Sequence, residues 1–219
     1  MFGYYYNKSL RKLIVGFGTL FSNIIVHHEN GTGPTTKIQV PITYSSQEKF
    51  IQRLLNPSSI TDGTRIENQL PRISFIMNNI VSDPSRRRVR FAPTQTLTST
   101  KGVCQNTGTQ IANEIPVNVG FNLFIYTRHV DDMLQIVEQI MPFFVPDHVI
   151  SLDLNENQST VNIPIVMISN NMTDRYEGDF NSRRLHITTF SFLAKSYIYG
   201  NIANVTTIDS SDNNIIEFD

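Results

Sequence analysis

A change of hydrophobic period inside one continuous run, Val117 to Phe144, constrains this chain more than any other feature. Val117, Val119, Phe121, Leu123 and Ile125 alternate with Asn118, Gly120 and Asn122, the two-residue period of a strand with one buried face. Phe124 and Tyr126 turn the second face apolar near the strand's end, so another element is expected to cover it there. After Thr127 the period becomes helical. Val130, Met133, Leu134, Ile136, Val137, Ile140 and Met141 form an apolar stripe, and Asp132, Gln135, Glu138 and Gln139 are expected to face away. Asp131 and Asp132 in the first turn complement the helix dipole, and Pro142 ends the helix by disfavouring helical backbone at Met141. A strand feeding a helix that folds back onto its sheet is the predicted centre of the fold.

The elements on either side follow from spacing. Leu10, Leu13, Ile14, Phe17, Leu20 and Phe21 predict a helix from Ser9 to Ser22, in which Gly16 and Gly18 each cost about 1 kcal/mol relative to Ala. Close approach of another backbone, within the fold or from a neighbouring subunit, is the expected compensation. Ile24 to His28 reads as a short strand, Asn30 to Pro34 as a turn, and Lys37 to Tyr44 as an alternating strand whose Pro41 points to an edge or a bulge. Ser45-Ser46-Gln47-Glu48 has the form of a capping box. It opens a helix with Phe50, Ile51, Leu54 and Leu55 inward and Pro57 at its end. Strands are expected at Arg72 to Val81, weakly at Val149 to Leu154, at Val161 to Ser169 (edge-like, because of Pro164), and at Arg184 to Ser196 as one strand or two bent ones.

Between residues 82 and 115 the periodicity collapses into Pro, Ser, Thr, Asn and Gly, and a segment of that length is expected to be a functional loop or arm. The stretch 201–219 is acidic and is expected to be a flexible tail. The whole predicts one α+β domain over 1–219: a mixed β-sheet flanked by helices, with a long extended loop or arm.

Composition narrows the function. Eighteen basic residues against nineteen acidic ones imply no bulk affinity for nucleic acid, and a single cysteine, Cys104, can form no internal disulfide. The apolar run Leu13 to Phe21 follows Lys8, Arg11 and Lys12 in the manner of a secretory signal. However, its charges come late, aromatic residues crowd the start, and no small-x-small site follows. It also falls short of the roughly 20 residues that span a bilayer, so no membrane association is expected. Catalytic and metal signatures are thin. Asp131 and Asp132 diverge by about 100° on a helix. His27-His28 lacks a Cys or acidic partner at a typical ligand spacing, Cys104 has no positioned His, and Gly16-Phe17-Gly18 matches no phosphate-binding loop. No catalytic, cofactor or metal residue is assigned.

Two basic clusters remain, Arg86-Arg87-Arg88 with Arg90, and Arg183-Arg184. They read as solvated loop charge or as contacts with a partner protein or nucleic acid backbone, and they are the candidate assembly residues. Only Phe91 is aromatic near the first cluster, so no base-stacking platform is indicated.

The opening MFGYYYN, the junction VPITYSSQEKF (Val40 to Phe50) and the long block TRHVDDMLQIVEQIMPFF (Thr127 to Phe144) resemble the tail sheath stabilisers of T4-like contractile-tailed bacteriophages, also called tail completion or connector proteins. NSRRLHITTFSF (Asn181 to Phe192) resembles the same family's SRR-bearing strand. These blocks span most of the chain in order, while residues 82–115 and the C-terminal tail carry no such likeness.

The resemblance implies a structural virion protein with a fold similar to the phage tail-terminator class. It implies a homo-hexameric ring at the head-proximal end of the tail, assembled in the host bacterial cytoplasm. The ring would sit on the tail terminator protein and the tail sheath protein and offer a surface to the neck proteins of the head. Genomic DNA would pass through its lumen without sequence-specific binding. No cofactor and no catalytic residue come with the family. Two alternatives stand beside it: a nucleic-acid-binding module with a basic arm, which the neutral charge disfavours, and a small enzyme, for which the sequence supplies no convergent groups.

Overall fold

The predicted central strand is β7 (Ile115–Thr127), and it lies inside a six-stranded mixed sheet. On one side it pairs antiparallel with β4 (Arg72–Ser82), which pairs parallel with the short edge strand β3 (Ile42–Tyr44). On the other side follow β10 (Arg184–Ile198), β9 (Val161–Tyr176) and β8 (Asp147–Leu152), each antiparallel to its neighbour. The computed structural model describes residues 4–28, 36–55, 70–87, 94–97, 107–111, 114–154, 160–176, 184–200 and 202–206. The expected turn at 30–34, Pro57, Cys104 and the side chains of Leu54 and Leu55 lie outside the described residues.

Two helices cover one face. From α1 (Ser9–Leu20), Leu13 and Phe17 enter the core, and Phe17 stacks on Phe121 of β7 with ring centroids 4.3 Å apart. Met133, Ile136, Val137 and Ile140 of α3 (Val130–Ile140) join the same cluster beside Leu123, Ile125 and Phe192. Burying a side chain of this size contributes about 1.5–3 kcal/mol, so this one cluster dominates the stability. The second face is apolar only at the end of β7, as the sequence required. There Phe50 of α2 (Gln47–Leu55) stacks on Tyr126 at 4.0 Å, with Phe124 and Ile187 completing a small separate core.

Several expectations are corrected. The run Lys37 to Tyr44 is not one strand: it breaks at Val40-Pro41 into β2 (Thr36–Gln39) and β3, in different sheets. β2 pairs with β1 (Ile25–His28), Val40 N–H continues toward the Ile24 carbonyl, and the Pro41 carbonyl accepts from Ile73. A residue without an N–H suits the point where the chain changes partners. β9 is not an edge around Pro164, since β8 lies beyond it from Val161 to Val166. Pro164 pairs with Val149 of β8, and the β10 ladder begins only at Ile165, so that ladder has no use for the missing donor. The helix cap is Ser46 rather than Ser45: its hydroxyl accepts from Lys49 N–H at 3.5 Å.

α1 stops at Leu20, two residues short of expectation, and its glycines make room for side chains rather than a backbone. A Cβ on Gly16 would meet Leu152, and one on Gly18 would meet the Phe75 ring, both at 2.9 Å. Within 82–115 the chain forms β5 (Thr94–Leu97) and β6 (Thr107–Ile111). β11 (Ile202–Thr206), from the stretch expected as tail, pairs with β6 to complete a three-stranded sheet. Thr, Gln and Asn dominate these strands, so no apolar alternation announces them.

Candidate assembly surface

The first element of this surface is the N-terminal segment. Lys8 takes a left-handed conformation (φ 57°) immediately before α1, a turn that an L-residue adopts at some steric cost. Asn7 locks it, donating from Nδ2 to the carbonyls of Tyr199 and Gly200 at 3.0 and 3.1 Å, and the buried Ser9 hydroxyl donates to the Leu154 carbonyl. The base of the segment is therefore fixed to the sheet, while Tyr4, Tyr5 and Tyr6 point into solvent, Tyr4 at 97 % exposure. Three exposed aromatics on an anchored base are unusual for a free surface and suit a contact with another chain.

The second element is α3, whose polar side does more than face water. Gln139 and Gln135 each offer a carboxamide to the free edge of β1. Their oxygens accept from Ile25 and His27 N–H at 3.3 and 2.9 Å, and their nitrogens donate to the Ile25 and His27 carbonyls at 2.8 and 3.0 Å. Asp132, expected to face solvent, is 3 % exposed, and its carboxylate lies 2.6 Å from His28 Nε2. His27 and His28 are thus not a metal pair: they project to opposite sides of a strand, and His28 is committed to Asp132. In exchange, Val130, Leu134 and Met141, expected in the core, are exposed. The apolar stripe is wider than the sheet can cover, and its margin is left outside. Phe143, Val145 and Val149 are exposed as well, and Phe143 lines a groove of about 470 Å³ together with Leu20, Phe21, Ile140 and His148.

The basic clusters divide. Arg86 closes a 3₁₀ turn after β4 and is turned inward. It donates to Asp83 Oδ2 at 2.8 Å, to Asn118 Oδ1 at 2.8 Å and to the Val117 carbonyl at 3.2 Å, and its guanidinium lies over the Tyr197 ring. The Ser85 hydroxyl first, and the Arg86 guanidinium next, hold the Asp83 carboxyl well below the usual carboxylate range. Arg87 is exposed and donates to the Ser82 hydroxyl at 2.9 Å. Arg184 opens β10 opposite Tyr176, and Arg88, Arg90 and Arg183 lie outside the described residues. The structure therefore does not bring the two clusters together at any described side chain. Among the described residues there is also no group of three or more His, Cys, Asp or Glu side chains arranged for a metal ion.

Sequence reasoning missed Asp132, Gln135 and Gln139 as structural contacts, because their partners lie about a hundred residues away. The tyrosines counted there only against a secretory signal and toward the resemblance. Their amphipathic crowding before a charged helix start was the available signal.

Residues 4–218 match the family model described as the T4-like virus Myoviridae tail sheath stabiliser. The chain is also 33 % identical over 208 residues to the tail completion protein gp15 of Enterobacteria phage T4, covering 91 % of this chain and 73 % of that protein.

Proposed function

This chain belongs to the tail sheath stabiliser family of T4-like Myoviridae, and from that premise we propose that it closes the head-proximal end of a contractile tail as a hexameric ring. It is a structural component of the phage tail. In the proposed role each ring caps the tail terminator and the uppermost sheath ring, and its outer side offers the attachment surface for the neck proteins of the head. The observation that carries this reading is the family match along nearly the whole chain, residues 4–218.

The physical role is a difference in affinity. A ring holds the sheath extended only by binding that state more tightly than the contracted one, and it shifts the balance by no more than that difference. The anchored tyrosines and the exposed apolar margin of α3 supply contact area of the kind that carries binding energy, aromatic and aliphatic with polar neighbours. DNA in the lumen needs an inner wall without a continuous basic stripe, and near-neutral overall charge is compatible with that. The inward turn of Arg86 weakens the alternative of a nucleic-acid module, since that guanidinium is already spent on Asp83 and Asn118.

Electron microscopy and sedimentation of the purified protein test the reading. Monomer should give way to closed hexamers as concentration rises or when the tail terminator is added. A two-fold dimer indifferent to tail proteins would sink it, because an isologous interface builds no ring.

A further inference from the structure

The two border strands of the six-stranded sheet, β3 and β8, each cover only part of the strand inside them. β3 pairs with β4 at Ile73, Ser74 and Phe75 alone, so Ile76 to Ser82 has no strand on its outer side among the described residues. β8 pairs with β9 from Val161 to Val166, which leaves Met167 to Tyr176 open in the same sense. The two openings are diagonal. Ile76 to Ser82 runs beside Asn122 to Val117 of β7, whereas Met167 to Asp174 stands, across β10, level with Phe121 to Thr127.

Protection is thin on both openings: each has one bulge near its start, and the charges of the β9 opening, Asp174 and Arg175, are confined to its far end. Ile76 to Ser82 and Met167 to Thr173 contain no charge and no proline, and Asp174 is engaged by His186. Val81 is 54 % exposed, Ile168 62 % and Met172 47 %. Each opening begins with a one-residue bulge, at Asn78 and at Ile168, and beyond it the strand runs in regular register with its inner neighbour. Long, uncharged, partly apolar edges are templates for another strand unless something covers them.

We propose that the open edge of β4 in one copy pairs with the open edge of β9 in the next, so that each subunit extends its neighbour's sheet. The inference rests on the ring reading and assigns its contact. A second copy is the occupant because the chain carries both halves of the joint. A foreign strand would cover one edge and leave the other bare, whereas a neighbour in a repeating assembly covers both. β4 and β9 run in opposite directions across the sheet, so copies related by rotation about an axis near the strand direction meet antiparallel, with no crossover to accommodate. The diagonal offset supplies the stagger that strands need when sheets close around an axis. Two different edges also make the contact heterologous, as a ring requires.

The test uses the full chain with lysines on one edge at a time: Ile168→Lys with Met172→Lys for β9, and Ile80→Lys with Val81→Lys for β4. Ile168→Lys and Val81→Lys alone serve if a double change unfolds the subunit, since both sites are exposed. At concentrations where wild-type protein assembles, each variant should melt like wild type yet sediment as a monomer. An equimolar mixture should stop at heterodimers, because only one intact edge of each kind remains. A β4 variant that still dimerises with itself, or variants that assemble as wild type does, would overturn the edge pairing and leave the ring reading standing. Wild-type protein that never assembles, alone or with the tail terminator, would overturn both.

Discussion

The Gln135 carboxamide pairs with the His27 peptide as a neighbouring strand would. Its oxygen accepts the His27 N–H at 2.9 Å, and its nitrogen donates to the His27 carbonyl at 3.0 Å. Gln139 repeats the arrangement at Ile25 one turn later. The helix thereby finishes the edge of β1, which has β2 on its other side.

Gln135→Ala should therefore destabilise the subunit by about 1 kcal/mol in urea titration, the net worth of ordinary hydrogen bonds. Glu138→Ala, on the exposed face of the same helix, gains the same propensity without losing a partner and should be neutral or slightly stabilising. Equal stabilities would mean the β1 contact contributes nothing.

The two glycines of α1 should respond with opposite sign. At Gly16 a new methyl meets the ends of Leu152 and Ile150, half-buried flexible side chains that can move, so Gly16→Ala should gain up to about 1 kcal/mol from helix propensity. At Gly18 it meets the buried Phe75 ring, wedged between Phe17 and Tyr44, and overpacking of about 1–3 kcal/mol should outweigh that gain. Thermal melts of the two variants decide it.

Arg86 and Arg87 should separate equally clearly. Arg86→Ala removes the donor to Asp83 Oδ2, Asn118 Oδ1 and the Val117 carbonyl and uncovers the Tyr197 ring, and should lower Tm measurably. Arg87→Ala should stay within about 0.5 kcal/mol, as surface changes usually do. If both were silent in melts, the guanidinium contacts would have no part in stability.

Asp83 gives a signed pH dependence. Its folded pKa lies below the ordinary value, so the folded state binds this proton less tightly than the unfolded chain does. The stabilisation is complete above the unfolded pKa of about 3.9 and is lost as pH falls below it toward the folded value. Asp83→Asn should flatten the decline of Tm below about pH 4 and leave the slope between pH 5 and 8 unchanged. Parallel Tm profiles for the two proteins below that pH would rule the linkage out.

The strand-to-helix unit from Val117 to Ile140 was legible in the residues because both of its periodicities answer to one neighbour, the sheet's own core. The cover over Tyr126 was legible for the same reason: an apolar side chain on a polar face demands a partner, and Phe50 supplies it. Local pattern, however, records only whether a position avoids water. It does not record which distant group a polar side chain meets. Asp132, Gln135 and Gln139 read as solvent-facing because their partners, His28, His27 and Ile25, are brought to them by the fold. Arg86 read as a free charge until the turn after β4 set it against Asn118. The same limit explains Pro41 and Pro164. Each announced a missing donor, but whether that meant an edge, a switch between sheets or the end of a ladder depended on strand order, a property of the assembled sheet alone.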